Sequence, residues 1–268
     1  MISARLRYGR IAYTNVAPVE TAFDVGAVAR DADVASGVPT ALNAALAAGE
    51  LDVAAISAAH FLDNRNAYER LGDVCIAADG PVRSVLFVSP VPPALLGRRV
   101  VALTAQSASG RALLHTLLGS FPGIEVRYEV VDDALGAARA GQPALLIGDD
   151  ALLARATLPP AQVHDLGEAW RAWTGLPFVF AIWAVRREVL AARPAEVAAL
   201  SAALVAARDW GSAHRAAVID AAIARRPFHR ALYADYFSRL SYVLDERAER
   251  GLARFAELYQ PEENHVAR

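Results

Sequence analysis

The sequence has 268 residues, of which 55% are apolar, and a formal net charge of −2 at pH 7. This length corresponds to one large domain or two modest ones, and the apolar share is enough to build a core, which excludes intrinsic disorder. The pI of about 6.3 argues against a nucleic-acid-binding protein, because such proteins are usually basic.

All 27 Lys and Arg positions are arginine. Without lysine the chain cannot form a Schiff base, which excludes pyridoxal phosphate enzymes and lysine aldolases, and it cannot supply a P-loop lysine. Cys75 is the only cysteine, so neither an intrachain disulfide nor a cysteine-based metal cluster can form. The first fifteen residues hold no signal-type apolar segment, and no apolar run reaches about eighteen residues. We therefore expect a cytoplasmic protein without a membrane span.

Short apolar runs alternate with helical patterns, which predicts βαβ units and mostly parallel sheets. The predicted strands are residues 7–13, 51–56, 82–88, 99–104, 125–131, 144–147 and 178–185. The predicted helices are residues 37–49, 107–118 and 132–140, with further helices starting near residues 17 and 151. From residue 188 onward the chain is predicted to be wholly helical, with helices near 195–207, 212–224, 228–240 and 245–258.

A pattern of helix, glycine and strand occurs twice, at residues 46–57 and 138–149. Two similar lobes would give such a repeat, and so would a chance likeness between two ordinary αβ units. Strands near residues 84–88 and 178–185 could cross between lobes. This predicts one discontinuous lobe, residues 1–88 plus 184–268 with a helical C-terminus, and a second lobe, residues 89–183. Two crossovers would form a hinge, and we expect the ligand in a cleft between the lobes.

Polar residues at the ends of predicted strands are candidates for ligand contact, because ligands of open α/β sheets lie outside the carboxyl ends of strands. Asn15 could bind a substrate or cap the next helix. Ser107 and Ser109 open a helix whose first amides could hold a carboxylate, and an ordinary serine N-cap is the alternative. Ser84, at the hinge, could donate to a substrate oxygen, whereas Arg83 is expected to be solvated.

Further candidates have an ordinary structural interpretation as well. Asp149 and Asp150 could do acid–base work, although capping of the helix near residue 151 is the favoured interpretation. Among the aromatic residues of the last predicted strand, Phe178 is the ring expected to stack on a flat ligand. His60, three residues after Ser57, is the histidine to test as a base. No metal-ligand spacing, hydrolase motif or dinucleotide motif occurs, so neither a metal nor a cofactor is expected.

A series of short motifs spans residues 9 to 181. They are Gly9-Arg10-Ile11-x-Tyr13-x-Asn15-x-x-Pro18, Gly37-x-Pro39-x-x-Leu42-Asn43, Gly49-x-Leu51-Asp52-Val53-Ala54-x-Ile56-Ser57, Gly80-x-Val82-x-Ser84-Val85, Ser107-x-Ser109, Leu145-Leu146-Ile147-Gly148-Asp149-x-Ala151, Asp165-Leu166-Gly167-x-x-Trp170 and Thr174-Gly175-Leu176-Pro177-Phe178-Val179-Phe180-Ala181. Each motif is weak alone, but the ordered set resembles the chorismate dehydratases of the futalosine route to menaquinone. Ala108 departs from the family, in which a threonine is common, so only its backbone N–H can contribute.

The resemblance implies an α/β, two-lobed type II periplasmic-binding-protein-like fold, used inside the cell as an enzyme. It also implies a lyase that removes water from chorismate, a small-molecule substrate, to give 3-[(1-carboxyvinyl)oxy]benzoate. Asn15 and Ser84 are the expected catalytic residues. The expected substrate contacts are Ser57, Val85, Gln106, Ser107, Ala108, Ser109, Gly148, Asp149 and Phe178.

Two other functions stay open. A sister enzyme of the same pathway, a 1,4-dihydroxy-6-naphthoate synthase, shares the implied fold, although Tyr13-x-Asn15 and the Ser107-x-Ser109 pair favour the dehydratase. A non-catalytic solute-binding protein is the second alternative, and the lack of a signal peptide argues against it. The sensing domain of a transcription regulator would need a DNA-binding module, for which no residues remain.

Overall fold

The computed structural model describes residues 5–259 of the chain. The chain divides into two compact units, which we call unit 1 (Met1–Ala77 with Val179–Asp245) and unit 2 (Ala78–Phe178 with Glu246–Arg268). Each unit holds one β-sheet. No helix in the described part of the chain is long and apolar enough to cross a membrane.

The strands are β1 (Leu6–Ile11), β2 (Ala32–Gly37), β3 (Val53–Ser57), β4 (Tyr68–Ala78), β5 (Val85–Val88), β6 (Val100–Thr104), β7 (Arg127–Val131), β8 (Ala144–Ile147), β9 (Val163–Asp165), β10 (Phe178–Arg186) and β11 (Leu240–Val243). The α-helices are α1 (Ala17–Asp24), α2 (Pro39–Ala47), α3 (Ala58–Asp63), α4 (Ala108–Gly119), α5 (Ala134–Arg139), α6 (Gly148–Thr157), α7 (Leu166–Thr174), α8 (Arg187–Ala192), α9 (Pro194–Ala213), α10 (Arg215–Arg225), α11 (Arg230–Arg239) and α12 (Glu246–Leu258).

The sheet of unit 1 has the order β11-β4-β10-β3-β1-β2. β1 is parallel to β2 and β3, and β10 runs antiparallel to β3. Every residue of β3 is buried, as expected for an apolar central strand. Helix α1 packs closely on α9, because a Cβ added to Gly211 would lie only 1.8 Å from the carbonyl oxygen of Pro18.

The sheet of unit 2 has the order β7-β6-β8-β5-β9 and repeats the plan of unit 1. β6 is parallel to β7 and β8, and β5 is antiparallel to β8, as β10 is to β3. Gly49 before β3 and Gly141 before β8 both have positive φ, 77° and 84°, which glycine adopts at low cost after a helix. The repeated helix–glycine–strand pattern therefore belongs to equivalent places in two similar units.

The unit boundaries differ from the predicted lobes, 1–88 plus 184–268 and 89–183. β5 was expected in the first lobe as a crossing strand, but it pairs with β8 and β9 and so lies in the sheet of unit 2. Helix α12 was also expected in the first lobe, yet its Phe255 ring lies 4.8 Å from the ring of Phe178 and 6.0 Å from that of Trp170. The prediction of a wholly helical chain after residue 188 is wrong at β11.

Candidate functional site

Unit 1 presents polar side chains where two neighbouring parallel strands end. Asn15 lies in a 3-10 turn, Thr14–Val16, soon after β1, and Ser57 is the last residue of β3. Because β1 and β3 run parallel and side by side, their carboxyl ends lie at the same edge of the sheet. The structure thus brings these two predicted residues to one place, which we call the unit 1 edge.

Asn15 carries a buried polar atom without a partner. Its Oδ1 accepts no hydrogen bond from any residue that the structure describes. The capping alternative fails, because the N-cap position of α1 is Val16 and has no side-chain bond. The backbone carbonyl of Asn15 accepts a 2.7 Å hydrogen bond from Tyr242 Oη. Leaving a buried acceptor unpaired costs roughly 1–3 kcal/mol, so Oδ1 is suited to accept a hydrogen bond from a ligand hydroxyl.

Ser57 is oriented by hydrogen bonds on both sides. Its Oγ accepts from Asn43 Nδ2 at 3.1 Å and from the amide of His60 at 3.2 Å, and its own amide donates to Asn43 Oδ1 at 3.2 Å. Ser57 and Asn43 are both buried. Because these two bonds use the lone pairs of Oγ, the hydroxyl is left to donate its proton to a ligand oxygen.

His60 is poorly suited to act as a base. Its Nδ1 lies 3.4 Å from Asn64 Nδ2, and its Nε2 lies 3.2 Å from Tyr68 Oη. Because Asn64 Nδ2 can only donate, Nδ1 is the acceptor and Nε2 carries the proton. Burial lowers the pKa of His60, so the ring stays neutral near pH 7. With no lone pair left over, His60 has a structural role at the start of α3.

Unit 2 gathers a second set of predicted residues at one edge of its sheet, which we call the unit 2 edge. Ser107 follows β6 and Gly148 follows β8, and these strands are parallel. β5 is antiparallel to β8 and pairs Val85 with Ile147, so Ser84 lies beside the end of β8. The arrangement places Ser84 in the same edge as the start of α4.

The start of α4 combines a cap with a free helix end. Ser107 Oγ accepts from the amide of Gly110 at 3.0 Å, so the capping interpretation of Ser107 is confirmed. An anion site at this helix end is compatible with the cap, because the amide of Ala108 at the first helical position has no intrahelical acceptor. Ser109 is buried in the same turn and Gln106 is half-buried just before it. This turn therefore offers hydroxyls and a backbone amide.

Ser84 and Gly148 are joined through the backbone. The amide of Gly148 donates to the carbonyl of Ser84 at 2.8 Å. The N–H of Gly148 therefore already has its acceptor, and the predicted substrate contact of Gly148 would have to use another atom. Ser84 is buried, and its Oγ lies 3.5 Å from the carbonyl oxygen of Val82. A hydrogen bond of this length is at the long limit of the range seen in proteins and is weak.

Asp149 and Asp150 do not cap helix α6, contrary to the favoured interpretation. Helix α6 begins at Gly148, so both residues lie in its first turn and neither is its N-cap, contrary to the predicted start at residue 151. Asp149 is half-buried and Asp150 is exposed. Negative side chains in a first turn stabilise a helix through its dipole.

A buried carboxylate holds the turn that precedes β5. Asp165 Oδ2 accepts from the amide of Arg83 at 2.7 Å, and Oδ1 accepts from Val82, Gly167 and Glu168 at 3.0, 3.0 and 3.2 Å. Burial raises the pKa of Asp165 against the opposing effect of the backbone N–H groups. Arg83 has φ 68°, a positive value that no other non-glycine residue in the described ranges adopts. It is half-buried, not solvated as expected.

Phe178 belongs to the core and does not face a ligand. Its ring is fully buried and meets Trp170 edge-on, with centroids 5.3 Å apart, and Phe255 at 4.8 Å. Trp170 Nε1 is anchored to the carbonyl of Pro177 at 3.1 Å. A ring enclosed in this way has no free face for stacking, so the predicted contact is corrected.

Three residues that support the edges were not assigned a role from the sequence. Asn43 orients Ser57, Tyr242 holds the backbone of Asn15, and Asp165 holds the turn before β5. Asn43 and Asp165 stand in the motifs quoted above, which is the signal that could have found them. Tyr242 lies in the unpredicted strand β11, far along the chain from Asn15, and gives no such signal.

Comparison with known proteins identifies relatives along the whole length. Residues 6–261 match a family described as "Menaquinone biosynthesis". The sequence is 34% identical over 261 residues to the chorismate dehydratase of Thermus thermophilus, which covers 91% of this chain and 92% of that protein.

Solved structures agree with the fold. Protein AF1704 from Archaeoglobus fulgidus superposes with a TM-score of 0.78 at 17% identity, over 98% of both chains. The periplasmic aliphatic sulphonate binding protein SsuA from Escherichia coli gives a TM-score of 0.67 at 15% identity, over 98% of this chain and 94% of that one. The chain therefore has the predicted periplasmic-binding-protein fold.

Proposed function

The chain belongs to the menaquinone biosynthesis family, and we propose that it is a hydro-lyase that dehydrates chorismate to 3-[(1-carboxyvinyl)oxy]benzoate. The observation that carries this proposal is the 34% identity to a chorismate dehydratase over 91% of the chain. The polar, largely uncharged residues of the unit 1 and unit 2 edges support it, because the reaction needs more positioning than charge. A cytoplasmic location stays a prediction.

The reaction itself explains why a strong base is not required. One ring proton leaves from the carbon that bears the enolpyruvyl ether, the neighbouring carbon loses its hydroxyl, and the two together depart as water. The ring becomes aromatic, which supplies a large driving force. An enzyme can then act mainly by holding the substrate in a reactive conformation and excluding water.

We assign the leaving hydroxyl to Asn15. Its Oδ1 is a buried acceptor without a partner among the described residues, and a hydroxyl is the substrate group that can donate to it. Ser84 then donates to the ether side of the substrate. Ser57 adds a second hydroxyl donor, since its lone pairs are occupied by Asn43 and His60.

We assign one substrate carboxylate to the start of α4. The amide of Ala108, the hydroxyls of Ser107 and Ser109 and the positive end of the helix dipole all favour a negative group there. The substrate's other carboxylate, on the enolpyruvyl group, is our candidate for the proton acceptor. This fits the described residues of the unit 1 edge, where His60 has no lone pair to offer.

The test is product analysis. Purified protein is incubated with chorismate, and the mixture is separated by liquid chromatography and weighed by mass spectrometry. The proposal predicts a new aromatic product lighter than chorismate by one water. Unchanged chorismate from correctly folded protein would refute it. In that case conversion of a dehypoxanthine futalosine-type substrate would identify the sister activity, and binding without conversion would identify a solute-binding protein.

A further inference from the structure

We propose that Asp165 is a positioning residue for Ser84 and that it acts by holding the left-handed backbone of Arg83. This inference rests on the proposed function, in which Ser84 contacts the substrate. Asp165 does not touch the reacting atoms in this assignment. It sets the backbone from which the Ser84 side chain projects.

The two oxygens of Asp165 have separate partners. Oδ1 accepts from the amides of Gly167 and Glu168 at 3.0 and 3.2 Å, and these two bonds form the N-cap of α7. Oδ1 also accepts from the amide of Val82 at 3.0 Å. Oδ2 accepts from the amide of Arg83 at 2.7 Å, the shortest of the four bonds to this carboxylate. Because one oxygen is enough for an N-cap, the cap does not explain the bond made by Oδ2.

The donor of the Oδ2 bond, Arg83, has a strained backbone. Residues with a Cβ rarely adopt φ 68°, and such a conformation persists only where its surroundings enforce it. On the far side of Ser84, the amide of Gly148 donates to the Ser84 carbonyl at 2.8 Å. The backbone of Ser84 is thus held from both sides, by Asp165 through Arg83 and by Gly148 directly.

Close packing fixes the carboxylate against this turn. A Cβ added to Gly167 would lie 2.5 Å from the carbonyl oxygen of Gly80 and 3.2 Å from Cβ of Val82. The first turn of α7 and the segment before Ser84 therefore lie in direct contact. A shift of Asp165 should therefore also move the backbone of Ser84.

The experiment compares two Asp→Asn variants for chorismate turnover. In Asp165→Asn the amide oxygen can keep the cap of α7, whereas the amide nitrogen only donates and cannot accept from Arg83. The matched control is Asp133→Asn, because Asp133 caps α5 in the same unit through a 2.7 Å bond from Gly136. We expect Asp165→Asn to lower kcat about 10- to 100-fold with KM nearly unchanged, and Asp133→Asn to retain kcat.

A second comparison separates positioning from general damage. If Asp165 acts through Ser84, then Asp165→Asn should lower kcat by less than about twofold when it is added to Ser84→Ala, because the effects of coupled residues are not additive. An equal loss in both backgrounds would overturn the inference. So would wild-type kcat in Asp165→Asn.

Two controls cover the remaining outcomes. Should Asp165→Asn fail to fold, Asp165→Ser keeps one side-chain oxygen for the cap of α7 and removes the acceptor of the Oδ2 bond. The same loss of kcat is expected there, and full kcat would overturn the inference. Wild-type protein that does not dehydrate chorismate overturns the proposed function itself, and this role with it.

Discussion

Tyr242→Phe removes one hydroxyl that holds the backbone of Asn15. The 2.7 Å bond from Tyr242 Oη to the Asn15 carbonyl is lost, and no other atom of the side chain changes. Burial raises the pKa of Tyr242, so the phenol is a donor throughout the usual pH range. A lost hydrogen bond of this kind costs about 1 kcal/mol in net terms. Since 1.36 kcal/mol is a tenfold change in rate, we expect kcat/KM for chorismate to fall by about five- to tenfold.

The matched control is Tyr233→Phe. Tyr233 Oη donates to the carbonyl of Arg226 at 2.9 Å, also in unit 1 but not to the Asn15 backbone. Both variants should lose a similar free energy of unfolding, and each kcal/mol lost should lower Tm by about 2–4 °C. Only Tyr242→Phe should also lose kcat/KM. Equal kcat/KM in the two variants, with equal losses of Tm, would show that the Asn15 backbone needs no such support.

Two further predictions concern stability. Gly211→Ala should lower the free energy of unfolding by about 3 kcal/mol, because its Cβ would lie 1.8 Å from the Pro18 carbonyl oxygen. The measurement is unfolding by urea, and the control is Gly119→Ala, whose Cβ would meet nothing within 4 Å and whose stability should be nearly that of wild type. Equal losses of stability in the two variants would contradict the packing argument. Burial alone would raise the pKa of Asp52, but its hydrogen bonds and ion pair with Arg7 outweigh that and hold the pKa below its ordinary 3.8. The stabilisation by ionised Asp52 is present above pH 3.8, and it is lost as the pH falls through the lowered pKa. Asp52→Asn should therefore be about 1 kcal/mol less stable than wild type at pH 7, with a gap that closes in acid; a gap that persists at pH 2 would refute this origin.

Local patterns predicted much of the strand and helix order. The predicted strand at residues 144–147 is β8, and the predicted helix at 37–49 contains α2 (Pro39–Ala47), because apolar runs and glycine stops act over a few residues. β4 was missed, since its first half mixes charged residues with apolar ones and only its second half is continuously buried. β11 was missed because a four-residue strand between helices leaves too short a pattern.

Contacts between residues far apart in the sequence define the two units and the site, and local sequence patterns did not predict them. The strand at residues 82–88 was recognised as a strand, but nothing local shows that β5 pairs antiparallel with β8. For the same reason the edge that joins Ser84 with Gly148 had to come from the structure. Phe178 shows the reverse case: its composition suits stacking on a ligand, and only the packing of Trp170 and Phe255 reveals that it is core.

The most direct test of the account is kcat/KM for chorismate in wild type, Asn15→Ala and Ser84→Ala, with product identified by mass. The account predicts that wild type releases the dehydrated aromatic product. It predicts that each variant, still folded, loses roughly tenfold to a thousandfold in kcat/KM, as expected for one well-placed hydrogen bond to a reacting substrate. Full kcat/KM in both variants, or a wild-type protein that leaves chorismate unchanged, would contradict it.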